Sequence, residues 1–236
     1  MSLFPLSILS FAYNYLFFWF SLKSHTVLGE AWPFLLNRLM VFIFTQASIW
    51  ILGAYAVQST VALYGAAAYL VNLVSIPLAI VGAVAPPFIA EQTAQNKHKQ
   101  LEETLRTMTT LAAVPALIGL GLFVFFGRPI LVLVYGDYYQ VSAAVLAILS
   151  VGKAINVLTG PCEATLNMTG HQRTMMTISI LYGLLSIALG WLVVESYGIV
   201  GISLVTALMV ILQNLTTLIL AKRLTGIWTF ARIRPF

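Results

Sequence analysis

An all-α, polytopic transmembrane helix bundle is the fold class predicted by three features of the sequence. Hydrophobic residues make up 60% of the 236 positions. Charged residues make up 8%, against about 25% in soluble domains. The apolar residues also run in long unbroken segments, unlike the alternating strands of roughly ten residues in a barrel. Lipid offers backbone groups no water partner, so such segments span as helices. A hydrocarbon core about 30 Å thick takes about 20 helical residues, which leaves room for roughly seven spans and short loops.

Seven segments fit that length: 3–22, 39–57, 61–85, 107–126, 141–158, 175–194 and 199–220. The first lacks a basic n-region and a small-residue cleavage site, so it reads as a retained span rather than a signal peptide. The second and third form an uncharged run divided at Val57, Gln58, Ser59 and Thr60, which predicts a helical hairpin. Pro86 and Pro87 are expected to end or kink the third span, since neither has an N–H to donate. The polar stretch EQTAQNKHKQLEETLRT predicts a solvated surface helix with Glu102 meeting Arg106 one turn on. Gly136 and Asp137 in YGDYY predict a bend, with the tyrosines in the membrane interface. The fifth span breaks sharply at Gly160 and Pro161, after which Glu163 and Asn167 are expected to leave the membrane.

Charge sets the orientation. Lys23, Lys97, Lys99, Arg106, Arg173, Lys222, Arg223, Arg232 and Arg234 fall on one side of this topology, with Arg38 near it and only Arg128 opposite. The positive-inside rule then puts the carboxyl end in the cytoplasm. The same rule explains the net charge of +5 and the pI near 9.4 without nucleic acid as a partner. The lone Cys162 excludes an internal disulfide, and the scattered His25, His98 and His171 give no metal-ligand spacing. No cofactor is implied, and the redox compartment stays open.

Small and polar residues recur on one side of most spans. Gly65, Ala68, Asn72, Ser75, Ala79 and Gly82 share a face, as do Ser179, Gly183, Ser186 and Gly190. Arg38, Thr45 and Ser48 line up with Gln46 beside them, and the last span carries Ser203, Thr206, Gln213 and Thr217. Such stripes serve either close helix packing or a hydrated cavity. Ser150, Lys153 and Asn156 on the fifth span favour the cavity. A Lys at a helix centre costs roughly 2.5–3.5 kcal/mol on insertion scales, so it faces a cavity or a partner unless it snorkels to the interface. No catalytic residues are expected. Asp137, Glu163, Glu195 and the isolated histidines form no acid–base pair, and no Gly-rich phosphate loop is present.

Four blocks carry a resemblance: WPFLLNRLMVFIFTQASIWILGAYAVQSTVALYGAAAYLVNLVSIPLAIVGAVAPPFIAEQ, VYGDYY, LSVGKAINVLTGPCEATLNMTGHQR and YGIVGISLVTAL. In this order and spacing they resemble the C-terminal half of the O-antigen type oligosaccharide flippases of bacterial polysaccharide biosynthesis. These group with lipid II flippases and MATE drug exporters in one superfamily of multidrug, oligosaccharidyl-lipid and polysaccharide exporters. The resemblance covers about residues 30–225.

The resemblance implies one six-helix lobe of a two-lobed transporter, plus one preceding helix. Residues 1–28 would be a leading helix and linker, 29–225 the lobe, and 226–236 a short basic cytoplasmic tail. The implied activity is flipping of undecaprenyl-pyrophosphate-linked oligosaccharide across the bacterial inner membrane, in partnership with a separate N-terminal lobe or a second copy. Arg38 and Lys153 would then contact the pyrophosphate, with Gln46, Asn72 and Asn156 lining the cavity. A truncated remnant that transports nothing and a cation-coupled drug exporter are the alternatives.

Overall fold

The computed structural model describes residues 24–232. The expected span at 3–22, together with Lys23 and Arg234, lies outside the described residues. The chain forms helices Ser24–Tyr55 (α1), Gln58–Val74 (α2), Ile76–Ala94 (α3) and His98–Tyr135 (α4). A 3-10 turn, Asp137–Ser142, leads into Ala143–Thr159 (α5), Cys162–Met168 (α6) and Gln172–Thr225 (α7). The fold is an all-α bundle, and five of the described helices are long and apolar enough to cross a membrane.

Helix α7 has 54 residues, about 80 Å at 1.5 Å per residue and far more than one crossing. At Gly198 its backbone leaves helical geometry, with φ 51° and ψ −135°. The Tyr182 hydroxyl lies 2.7 Å from that of Thr216, so residues 172–197 and 199–225 run antiparallel as a hairpin. This is the division between the last two spans that the sequence predicts.

The third span departs from expectation. It breaks at Ser75 (φ −86°, ψ 3°), and α3 then continues through Pro86 and Pro87 to Ala94. The reason is Pro77. A break at Ser75 puts Pro77 in the first turn of α3, where a missing N–H costs nothing. Ser75 Oγ closes the break by donating to the Val71 carbonyl at 2.8 Å.

Helix α4 absorbs the polar stretch. Arg106 stands 3.6 Å from Glu102, the expected one-turn pair. The stretch is only half solvated, however, because Leu101 and Leu105 are fully buried. They are covered by the segment after α7, where Ile227, Thr229 and Ala231 alternate inward and Trp228 and Arg232 outward. At the opposite end Gly136, at φ 95°, ends α4 at the bend that the YGDYY motif predicts, and Tyr135, Tyr138 and Tyr139 cluster beside it.

Candidate functional site: a cavity within the bundle

Helices α1, α2, α5 and the second half of α7 line most of an open cavity of about 380 Å³, which α6 and Met175 also border. Each helix brings one face to it, with lining residues that recur at about one turn, such as Val41, Thr45 and Ile49 on α1. Helix α1 supplies Thr45 and Gln46, α2 supplies Tyr64 and Asn72, and α5 supplies Lys153 and Asn156. Thr206, Gln213 and Asn214 come from α7.

Two hydrogen-bonded junctions and one pair of amides fix these faces relative to one another. On one side Ser48 and Thr206 hydroxyls lie 2.8 Å apart, and the Tyr64 hydroxyl donates to Thr206 Oγ1 at 3.4 Å. Three helices thus meet at a single threonine. On the other side Ser179 Oγ donates to Asn37 Oδ1 at 2.6 Å, and Asn37 Nδ2 donates to Glu163 Oε1 at 3.2 Å. Between the junctions, Asn156 Nδ2 donates to Asn214 Oδ1 at 2.8 Å.

Close approach of α5 and α7 depends on Gly152. A Cβ there would sit 2.9 Å from the Ala207 Cα, closer than real Cβ contacts come. The neighbouring Lys153 is thereby carried on a helix packed closely against α7. Half-buried, it projects into the cavity among carboxamides and hydroxyls.

Four of the five residues proposed from the sequence, Gln46, Asn72, Lys153 and Asn156, line this one cavity from three different helices. Arg38 does not line it. Its guanidinium stands 3.8 Å from Glu163, which does. Ser150, grouped with Lys153 in the sequence, is fully buried and donates to the Leu146 carbonyl of its own helix. The stripe of Ser179, Gly183, Ser186 and Gly190 is a packing face. Gly190 leaves room for Ile51 of α1, and Ser179 bonds Asn37.

Glu163 follows the end of α5, as the sequence predicts, and α6 holds its half-buried carboxylate at the border of the cavity, which the sequence does not show. The Gly160 and Pro161 pair both ends α5 and starts α6. Asn214 and Tyr64 were also missed, since each sits one position off a visible stripe. The Cys162 thiol, in the same short helix between spans, is pushed up to about 12 by burial and by the adjacent Glu163 carboxylate.

Residues 33–192 match the MatE family, well over half of the chain. The chain belongs to the MatE family. MatE proteins are membrane transporters and not enzymes. The chain is also 25% identical over 173 residues to the probable low-salt glycan biosynthesis flippase Agl15 of Haloferax volcanii. That alignment covers 71% of this MatE chain and 35% of the relative, so the chain spans about a third of the relative's length.

Proposed function

We propose that this MatE chain flips a lipid-linked oligosaccharide for surface polysaccharide assembly, the undecaprenyl-pyrophosphate carrier of bacteria being the natural substrate. The observation that carries this reading is the placement of Lys153 with Gln46, Asn72 and Asn156 in one cavity inside an apolar bundle. A cation in a low-dielectric site attracts a pyrophosphate, and carboxamides suit sugar hydroxyls. The relative's name, a glycan biosynthesis flippase, points the same way.

A cavity of about 380 Å³ is too small for a whole lipid-linked glycan, since pockets of about 300–1,000 Å³ hold drug-sized ligands. On this reading residues 29–225 are one six-helix lobe, and an N-terminal lobe or a second copy closes the path from the facing side. The chain would lie in the inner membrane with its carboxyl end in the cytoplasm, by the distribution of Lys and Arg.

Complementation tests it. In a bacterium lacking its O-antigen flippase and supplied with the donor's glycan, surface polymer is expected with this chain alone or with a matching first lobe. No polymer in either case, with the protein shown to be in the membrane, would favour an inactive remnant. Glu163 at the cavity favours a second reading, cation-coupled drug export. Drug resistance conferred by the chain and lost in Glu163→Gln would select it.

A further inference from the structure

A second concavity, of about 400 Å³, lies at the end of the bundle where α4 begins. His98, Lys99, Glu102, Glu103 and Arg106 of α4 line it, together with Arg232 of the segment after α7. Glu102 is fully engaged. Its carboxylate faces Arg106 at 3.6 Å and Lys222 at 3.7 Å and accepts the Trp228 backbone N–H at 3.1 Å. Among the described residues the side chains of Lys99 and Arg232 have neither an ion pair nor a hydrogen bond, and with the Glu103 carboxylate counted against them a local excess of positive charge remains. Arg232 is exposed, but its backbone is held in place beside the concavity, since its N–H donates to Thr110 Oγ1 at 2.8 Å.

Two further features add to the attraction for an anion. The 38-residue α4 starts here with no side-chain cap, so its free first-turn N–H groups add to the positive field. Trp228 is partly exposed, with the Lys222 ammonium 5.4 Å from its ring centroid. A tryptophan beside lysine is the arrangement found at the headgroup level of membranes.

We propose that this concavity binds a phosphate-bearing anion, with Lys99 and Arg232 as its principal contacts. The occupant these surroundings favour is the headgroup of an anionic phospholipid. The site is separate from the Lys153 cavity and does not depend on what that cavity carries.

The full chain, reconstituted in nanodiscs of phosphatidylcholine containing phosphatidylglycerol, tests this by counting the phosphatidylglycerol retained per chain after detergent extraction, using mass spectrometry. The wild type is expected to retain it in preference to phosphatidylcholine. Retention should fall roughly tenfold or more in Lys99→Gln/Arg232→Gln, two near-surface cations being removed. The control Lys97→Gln/Arg223→Gln removes as much charge from exposed positions at the same end and should retain the lipid. Release of lipid by millimolar inorganic phosphate would identify a site for phosphate itself, and resistance to it a site for the lipid headgroup. Equal loss in both double variants, or no preference for phosphatidylglycerol in the wild type, would overturn the proposal.

Discussion

Asn156 on α5 and Asn214 on α7 share a hydrogen bond of 2.8 Å, and Asn214 in turn donates to the Val210 carbonyl of its own helix. Thr159 Oγ1 adds a longer contact of 3.3 Å to the same Asn214 oxygen. The amide therefore braces α5 one turn below Lys153. Asn214→Leu should lower stability by ~0.6–2 kcal/mol, the range for polar contacts between membrane helices. A thermal unfolding midpoint in detergent unchanged from wild type would show that the brace carries no load.

Much of this cavity was legible in the sequence. A charge inside an apolar span is costly, and amides at helical spacing stand out against leucine and valine, so Gln46, Asn72, Lys153 and Asn156 could be picked residue by residue. Periodicity defines a face but not its neighbour. It could not say that the stripe from Ser179 to Gly190 packs on α1 while that of Gln213 lines a cavity. Nor could it say that α6 returns Glu163 toward Arg38, because that contact joins residues 125 apart through a turn of chain. Likewise the inward alternation of Ile227, Thr229 and Ala231 lies in a segment whose basic character suggested solvent.

Lys153→Met should leave membrane insertion intact, since it removes a charge costing roughly 2.5–3.5 kcal/mol at a helix centre. Transport in a complete assembly should fall about tenfold or more, the loss of one charge-assisted contact worth ~1.5–3 kcal/mol. If flipping survives Lys153→Met, a cationic cavity is not what holds the substrate.

Gly152→Ala places a methyl group against the Ala207 Cα and Cβ, at 2.9 and 3.0 Å. Backbone is in the way, so α5 and α7 have to separate, at ~1–3 kcal/mol for overpacking. The variant should unfold at lower temperature, and the compensating Ala207→Gly should recover part of the loss. No change in unfolding temperature would contradict the close crossing.

The Cys162 thiol is buried, and its raised pKa of about 12 keeps it protonated through the neutral range. At pH 8 the thiolate fraction is on the order of 10⁻⁴, against about a tenth or more for a free thiol. Maleimide labelling of the folded chain should therefore be negligible at pH 7–8 and complete after denaturation. The linkage has a definite sign. Above the unfolded thiol value of about 8.5 the unfolded chain has lost a proton that the folded chain keeps until about 12, so stability falls as pH rises through that window. Rapid labelling of the native protein at pH 7 would mean the thiol is accessible.

The segment after α7 completes α5. Gly160 and Pro161 end that helix abruptly, and Pro161 has no N–H, so the last carbonyls need outside donors. Thr229 Oγ1 donates to the Thr159 carbonyl at 2.8 Å and the Ala231 N–H to the Leu158 carbonyl at 3.0 Å. Gly160, at φ 70°, has no space for a Cβ because the Thr229 carbonyl lies 2.7 Å from where it would be. Ile227 anchors the segment, fully buried beside Leu101 and Leu105. Thr229→Val keeps the shape and removes one bond, which should cost ~1–3 kcal/mol with the buried carbonyl left unpaired. Ile227→Ala should cost ~2–5 kcal/mol by opening a cavity under α4. Both losses should appear as faster hydrogen exchange at the end of α5 near Thr159. Unchanged exchange there with Ile227→Ala would mean that α5 holds its position without the segment.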